Sequence, residues 1–219
     1  MAGDPQGLTL DVGGAAIPVL DAGTGPAVLL LDGGAGSSVS WQAQVPALVE
    51  AGFRVVAPDL PTVATPAGGV DLLRAVLRTL GIPRVHVVGQ GGGARLGWLF
   101  AGAQAQRVDR LVVIGAGFLA PEQLCRLEIP VLAVRGASDP RVDEATLRGA
   151  REFVGGPWRD EVIAEAGEDV AAEQPGRLND LLNDFLATGA RAARPANDIR
   201  AAVGRRLGSA LTERLRPGD

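Results

Sequence analysis

The sequence predicts an α/β fold built on a doubly wound, mostly parallel sheet of about eight strands. Short, continuous apolar runs rich in β-branched residues recur along the chain, which is typical of strands buried on both faces of a parallel sheet. Segments of helical periodicity separate these runs, and such alternation requires right-handed crossovers with helices on both faces. Ligands bind to such folds beyond the carboxyl ends of the strands, so the loops at those ends are the first candidates for a functional site.

The individual elements follow from the same patterns in chain order. Residues 8–12 and 17–21 flank Gly13-Gly14 and predict an antiparallel hairpin at the edge of the sheet. Buried parallel strands are predicted at 28–31, 55–57, 85–88, 111–114 and 131–134, with a last short strand near 162–164. Helices are predicted at roughly 41–51, 70–80, 92–103, 143–153 and 173–187.

Composition limits the classes of function. The chain has 219 residues, 47% of them hydrophobic, but no run reaches the roughly 18–20 apolar residues of a membrane span. One cysteine, Cys125, and one histidine, His86, cannot form an internal disulfide or a multi-histidine metal site. The net charge of −4 disfavours nucleic-acid binding, and the absence of lysine excludes Schiff-base chemistry. With no leader pattern at the first residues, we expect a cytoplasmic protein without a metal or other cofactor.

Two regions differ in charge and pattern. Residues 1–187 hold all the predicted strands and form the expected core domain. Residues 188–219 form a basic tail with seven arginines, and its apolar residues recur at steps of four, which predicts a helix over about 197–215. This helix either packs on its own domain or binds a second copy or another protein.

A glycine-rich turn connects a predicted strand to a predicted helix at residues 87–95, VVGQGGGAR. Gly89, Gly91 and Gly93 have the spacing of the Gly-x-Ser-x-Gly nucleophile elbow, in which a sharp turn presents the nucleophile. The same glycines also fit a dinucleotide-binding turn with Asp109 as its acidic residue. That turn follows the first strand of its fold, whereas this one follows about the fifth, so we favour the elbow.

The order of elements over residues 8–187 resembles the α/β-hydrolase fold. Residues 28–36 resemble the strand and loop that supply half of the oxyanion hole, and residues 41–61, WQAQVPALVEAGFRVVAPDLP, are similar to the next helix and strand of epoxide hydrolases and small esterases. Residues 129–140, IPVLAVRGASDP, resemble the strand that presents the catalytic acid. Residues 167–175, GEDVAAEQP, are similar to the segment that carries the catalytic histidine.

The residues at the catalytic positions of that family are replaced here. Gly91 stands where the nucleophile is expected, Glu168 where the histidine is expected, and Asp32 at the first position of the His-Gly motif. Asp139 alone matches the expected triad. Without an attacking oxygen or sulfur and without an imidazole base, covalent ester, lactone or epoxide hydrolysis is excluded at this site.

The resemblance also implies an oxyanion hole formed by backbone amides, which does not need those side chains. The amides of Gly34 and Gly92 are expected to converge on one point at a helix N-terminus, where they would hold a substrate oxygen. Gln90 is predicted to line the same pocket, and Gly91 enlarges it. Alternatively, Gly91 merely relieves the strain of the turn in an inactive site.

Three carboxylates are expected around this pocket, namely Asp32, Asp139 and Glu168. Crowded carboxylates do not all ionise cheaply, so one would supply an acid and another a base without a covalent intermediate. The non-catalytic alternatives are that Asp32 and Glu168 are solvated loop residues and that Asp139 only holds loops together. His86 is interpreted as a core histidine whose ring is hydrogen-bonded.

Residues 115–128 are too few for a helical cap, so the pocket is predicted to be open and capless. Such a pocket suits a large or carrier-tethered substrate or a protein partner, and a second subunit or the 197–215 helix would cover it. The sequence therefore supports two hypotheses. The first is an acid–base cyclase, lyase or isomerase of small-molecule biosynthesis, and the second is a catalytically inactive pseudo-hydrolase that binds or scaffolds a partner.

Overall fold

The computed structural model of the chain describes residues 6–32, 37–61, 65–115 and 124–190. Within these ranges the chain forms eight strands and seven helices. The strands are β1 (Gln6–Val12), β2 (Ala15–Ala22), β3 (Ala27–Leu31), β4 (Arg54–Pro58), β5 (Val85–Gln90), β6 (Val108–Ile114), β7 (Val131–Gly136) and β8 (Trp158–Ile163). The helices are α1 (Ser37–Ser40), α2 (Gln44–Glu50), α3 (Pro66–Thr79), α4 (Gly92–Ala103), α5 (Glu144–Arg151), α6 (Val170–Glu173) and α7 (Pro175–Ala190).

The strands form one sheet in the order β1-β2-β4-β3-β5-β6-β7-β8. The hairpin β1–β2 is antiparallel, β2 is antiparallel to β4, and the strands from β4 to β8 are mutually parallel. This is the α/β-hydrolase fold that the sequence predicted, with the expected strand number and the expected edge hairpin. The turn of the hairpin uses Gly13 and Gly14, whose φ angles of 63° and 86° are accessible to glycine at little cost.

Helices cover both faces of the sheet, as the strand–helix alternation predicted. Apolar side chains of α3, α4 and α5 pack against one face, with Trp98 and Phe100 of α4 fully buried. Side chains of α2, α6 and α7 pack against the other face, which buries Leu178 and Leu182 completely. The apolar runs predicted as strands lie between these two layers, which is why they lack polar alternation.

Three boundaries differ from the prediction for identifiable reasons. The helix predicted over 41–51 begins later, at Gln44 of α2, because residues 41–43 form a turn after α1 in which the Gln44 N–H donates to the Trp41 carbonyl at 3.0 Å. The segment 173–187 is divided because Pro175 begins α7 and cannot extend α6. The last strand begins at Trp158, earlier than 162–164, since β8 is an edge strand whose polar residues contact solvent and hide the apolar pattern.

By its internal contacts the chain divides into two units, Met1–Leu186 and Ala187–Asp219. The first unit is the sheet with its helices. Of the second, only Ala187–Ala190, the end of α7, belong to the described ranges, so the predicted helix over 197–215 and the role of the basic tail lie outside them. None of the described helices is long and apolar enough to cross a membrane.

Candidate functional site

The turn from β5 to α4 forms the nucleophile elbow that the sequence predicted. Gly91 stands at its apex with φ 56° and ψ −125°, a strained conformation that glycine tolerates far better than other residues. Its N–H donates to the carbonyl of Ile114 on β6 at 3.0 Å, which fixes the turn to the neighbouring strand. A Cβ atom at position 91 would meet no atom of the described residues within 4 Å.

The two flanking glycines of the elbow are required by close backbone contacts. A Cβ atom on Gly89 would lie 2.6 Å from the backbone nitrogen of Ala94. One on Gly93 would lie 2.8 Å from the backbone nitrogen of Asp32 and would overlap the carbonyl of Leu31. These contacts press the start of α4 against the end of β3 and bring Asp32 beside the elbow.

One of the two backbone donors that the sequence predicted, Gly92, lies in the first turn of α4. Gly92 is the first residue of α4, and the first N–H groups of a helix have no carbonyl partner within it. The helix dipole adds a partial positive charge at this end. Gly34, the other predicted donor, lies outside the described residues.

Asp32 follows β3 and is half-buried beside the elbow. The hydroxyl of Ser40 in α1 donates a short hydrogen bond to Asp32 Oδ2. Asp32 is therefore an oriented carboxylate rather than a freely solvated one. Ser40 was missed from the sequence, since nothing in the run Ser37–Ser40 distinguishes one serine from another.

Asp139 lies in the loop after β7, at the carboxyl edge of the sheet. Its Oδ1 accepts the Arg141 N–H at 2.8 Å, whereas its buried Oδ2 has no hydrogen-bond partner among the described residues. A Cβ atom on Gly115 would lie 3.8 Å from that Oδ2 and 3.5 Å from the carbonyl oxygen of Glu168. The structure therefore brings Asp139 and the backbone of Glu168 to the same point, whereas the prediction concerned the carboxylate of Glu168.

The side chain of Glu168 is directed to Arg141 instead. Its carboxylate forms an ion pair with the guanidinium of Arg141, and the two side chains are 52% and 64% exposed. Arg141 thus contacts both acids, through its backbone N–H to Asp139 and its side chain to Glu168. Arg141 was not predicted from the sequence, although its place two residues after Asp139 was a usable signal.

Gln90 connects the elbow to the loop that carries Glu168. Its amide nitrogen donates to Asp169 Oδ1 at 2.8 Å, and its amide oxygen accepts the Ala171 N–H at 3.3 Å. The fully buried Gln44 donates to the Ala171 carbonyl at 3.2 Å. Both polar groups of the Gln90 amide are thus bonded within the chain, and together the two glutamines fix α6 against the elbow.

His86 is buried in β5, as predicted, with its ring edge-on to Phe53 at 6.1 Å between centroids. The expectation of a hydrogen-bonded ring was wrong for Nδ1, which is buried and has no partner in the part of the chain that the structure describes. Burial lowers the pKa of this imidazole, and the charges of Arg110 and Arg84 act in the same direction against that of Asp109.

Comparison with known proteins agrees with this geometry. The family model for the α/β-hydrolase fold matches residues 26–123, which include the elbow. Epoxide hydrolase 3 of Siraitia grosvenorii is 33% identical over 123 residues, covering 51% of this chain and 39% of the relative. A 2-hydroxy-6-oxononadienedioate/2-hydroxy-6-oxononatrienedioate hydrolase of Burkholderia vietnamiensis is 35% identical over 117 residues, covering 47% of this chain and 41% of the relative. The chain thus spans about two fifths of the length of these relatives.

Solved structures share the fold over a larger part of the chain. Carboxylesterase CesB from Bacillus subtilis has a TM-score of 0.76 at 19% identity, covering 85% of this chain and 93% of that one. Epoxide hydrolase A from Mycobacterium thermoresistibile has a TM-score of 0.71 at 18% identity, covering 84% and 98%. At these identities the likeness concerns the fold.

Proposed function

Because residues 26–123 match the family model for the α/β-hydrolase fold, yet glycine stands at the apex of the elbow, we propose that the chain is a non-hydrolytic member of the α/β-hydrolase superfamily. It binds an oxygen of a small-molecule substrate at the elbow and moves protons with carboxylates, as a cyclase, lyase or isomerase of small-molecule biosynthesis. The observation that supports the proposal is the strained turn at Gly91, with φ 56° and ψ −125°, which has no side chain that could attack a substrate.

The chemistry of the site argues against a covalent route. An acyl-enzyme needs a nucleophilic side chain and a base that removes its proton. Position 91 has no side chain, and position 168 has a carboxylate paired with Arg141 in place of an imidazole. Non-covalent proton transfer remains compatible with the groups that are present.

In this proposal, Asp32 is the base. Its carboxylate takes a proton from carbon next to a substrate carbonyl, and negative charge develops on the carbonyl oxygen. The amide of Gly92 at the start of α4 stabilises that charge; one such donor is typically worth about 3–4 kcal/mol in a transition state. The proton then returns to the substrate at another position, which completes an isomerisation with no net gain or loss of protons. The hydrogen bond from Ser40 keeps Asp32 oriented.

Asp139 and Glu168, the other two acids of the sequence prediction, have supporting roles here. Asp139 anchors the loop after β7 through Arg141, and Glu168 extends that anchor to the loop before α6. The site of action is the cytoplasm, consistent with a single thiol at Cys125, and the substrate is a free or carrier-tethered small molecule.

A second candidate function is that of a pseudo-hydrolase that binds or scaffolds a partner. The observation that favours it is the Arg141–Glu168 pair, which lies at the mouth of the site and is more than half exposed on both sides. A surface of this kind is available to another protein, whereas a catalytic acid gains from exclusion of water.

Deletion of the gene in its source organism, with metabolite profiling, tests the two functions together. The strain is complemented with wild type, Asp32→Asn or the exposed control Asp71→Asn. We expect a precursor to accumulate on deletion, and we expect wild type and Asp71→Asn to clear it but not Asp32→Asn.

Equal rescue by Asp32→Asn would overturn the catalytic proposal and favour the binding function. Thermal unfolding of each purified variant ensures that a failure to rescue reflects lost chemistry rather than a lost fold.

A further inference from the structure

The sheet formed by the described residues has two edge strands, β1 and β8, and they differ in charge. An edge strand presents unpaired backbone N–H and C=O groups, and proteins often protect it with charged side chains. β8 contains Arg159, Asp160 and Glu161 in succession, so most registers of self-pairing would place like charges opposite each other. β8 is therefore a protected edge.

β1 lacks this protection. Its sequence, QGLTLDV, has one charged residue, Asp11, and that carboxylate accepts the Gly14 N–H at 2.9 Å within the hairpin turn. Thr9, at the centre of the strand, is exposed, and Leu8 is half-buried. The edge is thus short, nearly uncharged and free of proline.

The hairpin turn determines which backbone groups of β1 face outward. A two-residue turn with positive φ at Gly13 and Gly14 closes on the pair Val12–Ala15, which exchanges both hydrogen bonds. Because this pattern alternates along an antiparallel ladder, Leu8 and Leu10 also bond to β2. The N–H and C=O groups of the intervening residues, Gly7, Thr9 and Asp11, point away from the sheet.

We propose that β1 pairs in antiparallel fashion with β1 of a second copy, about a two-fold axis at Thr9. In this register each Thr9 faces Thr9 of the partner subunit, and each Gly7 faces Asp11 of the partner subunit. All the outward backbone groups then find partners, and no like charges oppose each other. On the face that packs against the core, Leu8 lies opposite Leu10 of the partner subunit.

A hollow beside the same edge supports this interface. It has a volume of about 370 Å³ and is lined by Gly7, Leu8 and Thr9 of β1, by Pro18–Leu20 of β2 and by Asp59. Because β1 forms one side of this hollow, side chains of a second copy that pairs with β1 can lie in it. A self-complementary patch of this kind closes as a two-fold dimer and does not propagate into a filament.

Sedimentation equilibrium of the full chain over a concentration series tests the interface. We expect wild type to dimerise, and we expect Thr9→Lys and Thr9→Asp each to raise the dimer dissociation constant about tenfold or more, since each places like charges directly opposite. An equimolar mixture of the two variants places opposite charges across the axis, so we expect it to dimerise again, with one of each by native mass spectrometry.

Asp160→Lys, a charge reversal on the protected edge, is the matched control and leaves association unchanged. Circular dichroism checks that every variant is folded. A monomeric wild type, or a dimer that persists unchanged in Thr9→Lys, would overturn the proposal, the latter because it places the interface on another surface.

Discussion

The elbow and the two acid loops meet at one site but are held in different ways. The elbow is fixed by backbone contacts: the Gly91 N–H bonds to Ile114, and Gly89 and Gly93 allow α4 to pack directly on β3. The acid loops, 137–143 and 164–169, are joined at their base by the backbone bond from the Ser138 N–H to the Ala166 carbonyl at 2.9 Å, but their outer residues are held by side chains such as the exposed ion pair between Arg141 and Glu168. The first region is packed and the second is largely exposed.

This difference separates the contacts that determine the backbone of the site from the side chains available for chemistry. Packed backbone geometry persists whatever side chain stands at its apex, because the contacts that determine it lie in the sheet and in α4. Reactive groups on exposed loops depend on one or two contacts each and are replaced more easily. The backbone of the elbow therefore depends on packed contacts, whereas the carboxylate of Glu168 depends on an exposed ion pair.

The largest expected effect comes from breaking the packed region. Gly93→Ala places a methyl group against the Leu31 carbonyl and the Asp32 nitrogen, neither of which moves without separating α4 from β3. We expect it to lower the free energy of unfolding by more than about 4 kcal/mol in denaturant titrations. Gly91→Ala, with no atom of the described residues within 4 Å of its Cβ, costs about 1–3 kcal/mol through its positive φ alone. Equal costs at the two positions would contradict this view of the elbow.

Restoring side chains would sharpen the same comparison. In Gly91→Ser/Glu168→His the serine Cβ meets no atom of the described residues within 4 Å, and the imidazole is attached at residue 168, whose backbone carbonyl lies with Asp139 Oδ2 beside Gly115. We expect hydrolysis of a chromogenic ester about 100-fold above wild type, within the usual range for a positioned base. Addition of Asp139→Asn should abolish the gain. No activity in the double variant would show that the acid loops, unlike the elbow, have lost the required geometry.

The link between the two regions is the Gln90 amide. Gln90→Leu leaves the buried Ala171 N–H without its partner and removes a donor from Asp169. We expect a loss of about 1–3 kcal/mol in the free energy of unfolding, with increased hydrogen exchange at 168–173. The exposed Gln42→Leu is the control and should cost little; a similar cost at both positions would argue against the link.

Low pH is expected to lower the free energy of unfolding through His86, which lies in β5, the strand that leads to the elbow. The pKa of His86 is lowered by burial, so as the pH falls the unfolded chain binds a proton near pH 6.5 before the folded chain does. Stability from the neutral imidazole is thus present above about pH 6.5 and declines below it, by at most about 1.4 kcal/mol per pH unit. His86→Leu should remove that part of the slope between about pH 6.5 and 5.5; an unchanged slope would exclude His86 as its source.

The smallest effect is expected in the exposed region. Arg141→Ala breaks the ion pair with Glu168, but solvent screens two side chains that are more than half exposed. We expect a loss below about 1 kcal/mol in the free energy of unfolding, decreasing further at high salt. A larger loss would mean that the acid loops contribute to the packed structure after all.

The sequence by itself determined the fold, because buried strands and amphipathic helices leave a periodic apolar pattern that reports on local burial. It also determined the elbow, since Gly89, Gly91 and Gly93 are required by the backbone itself. It placed β8 too late, because an edge strand in contact with solvent carries polar residues that interrupt the pattern.

Only the tertiary structure decided how the predicted acids are used. Asp32 is oriented by Ser40, Glu168 is drawn to Arg141, and the Gln90 amide is used within the chain rather than left for a ligand. Each of these partners comes from another loop or helix, so its approach depends on how strands and helices pack. Local patterns determine which residues are buried, whereas the pairing of polar groups is determined by distances that exist only after the chain has folded.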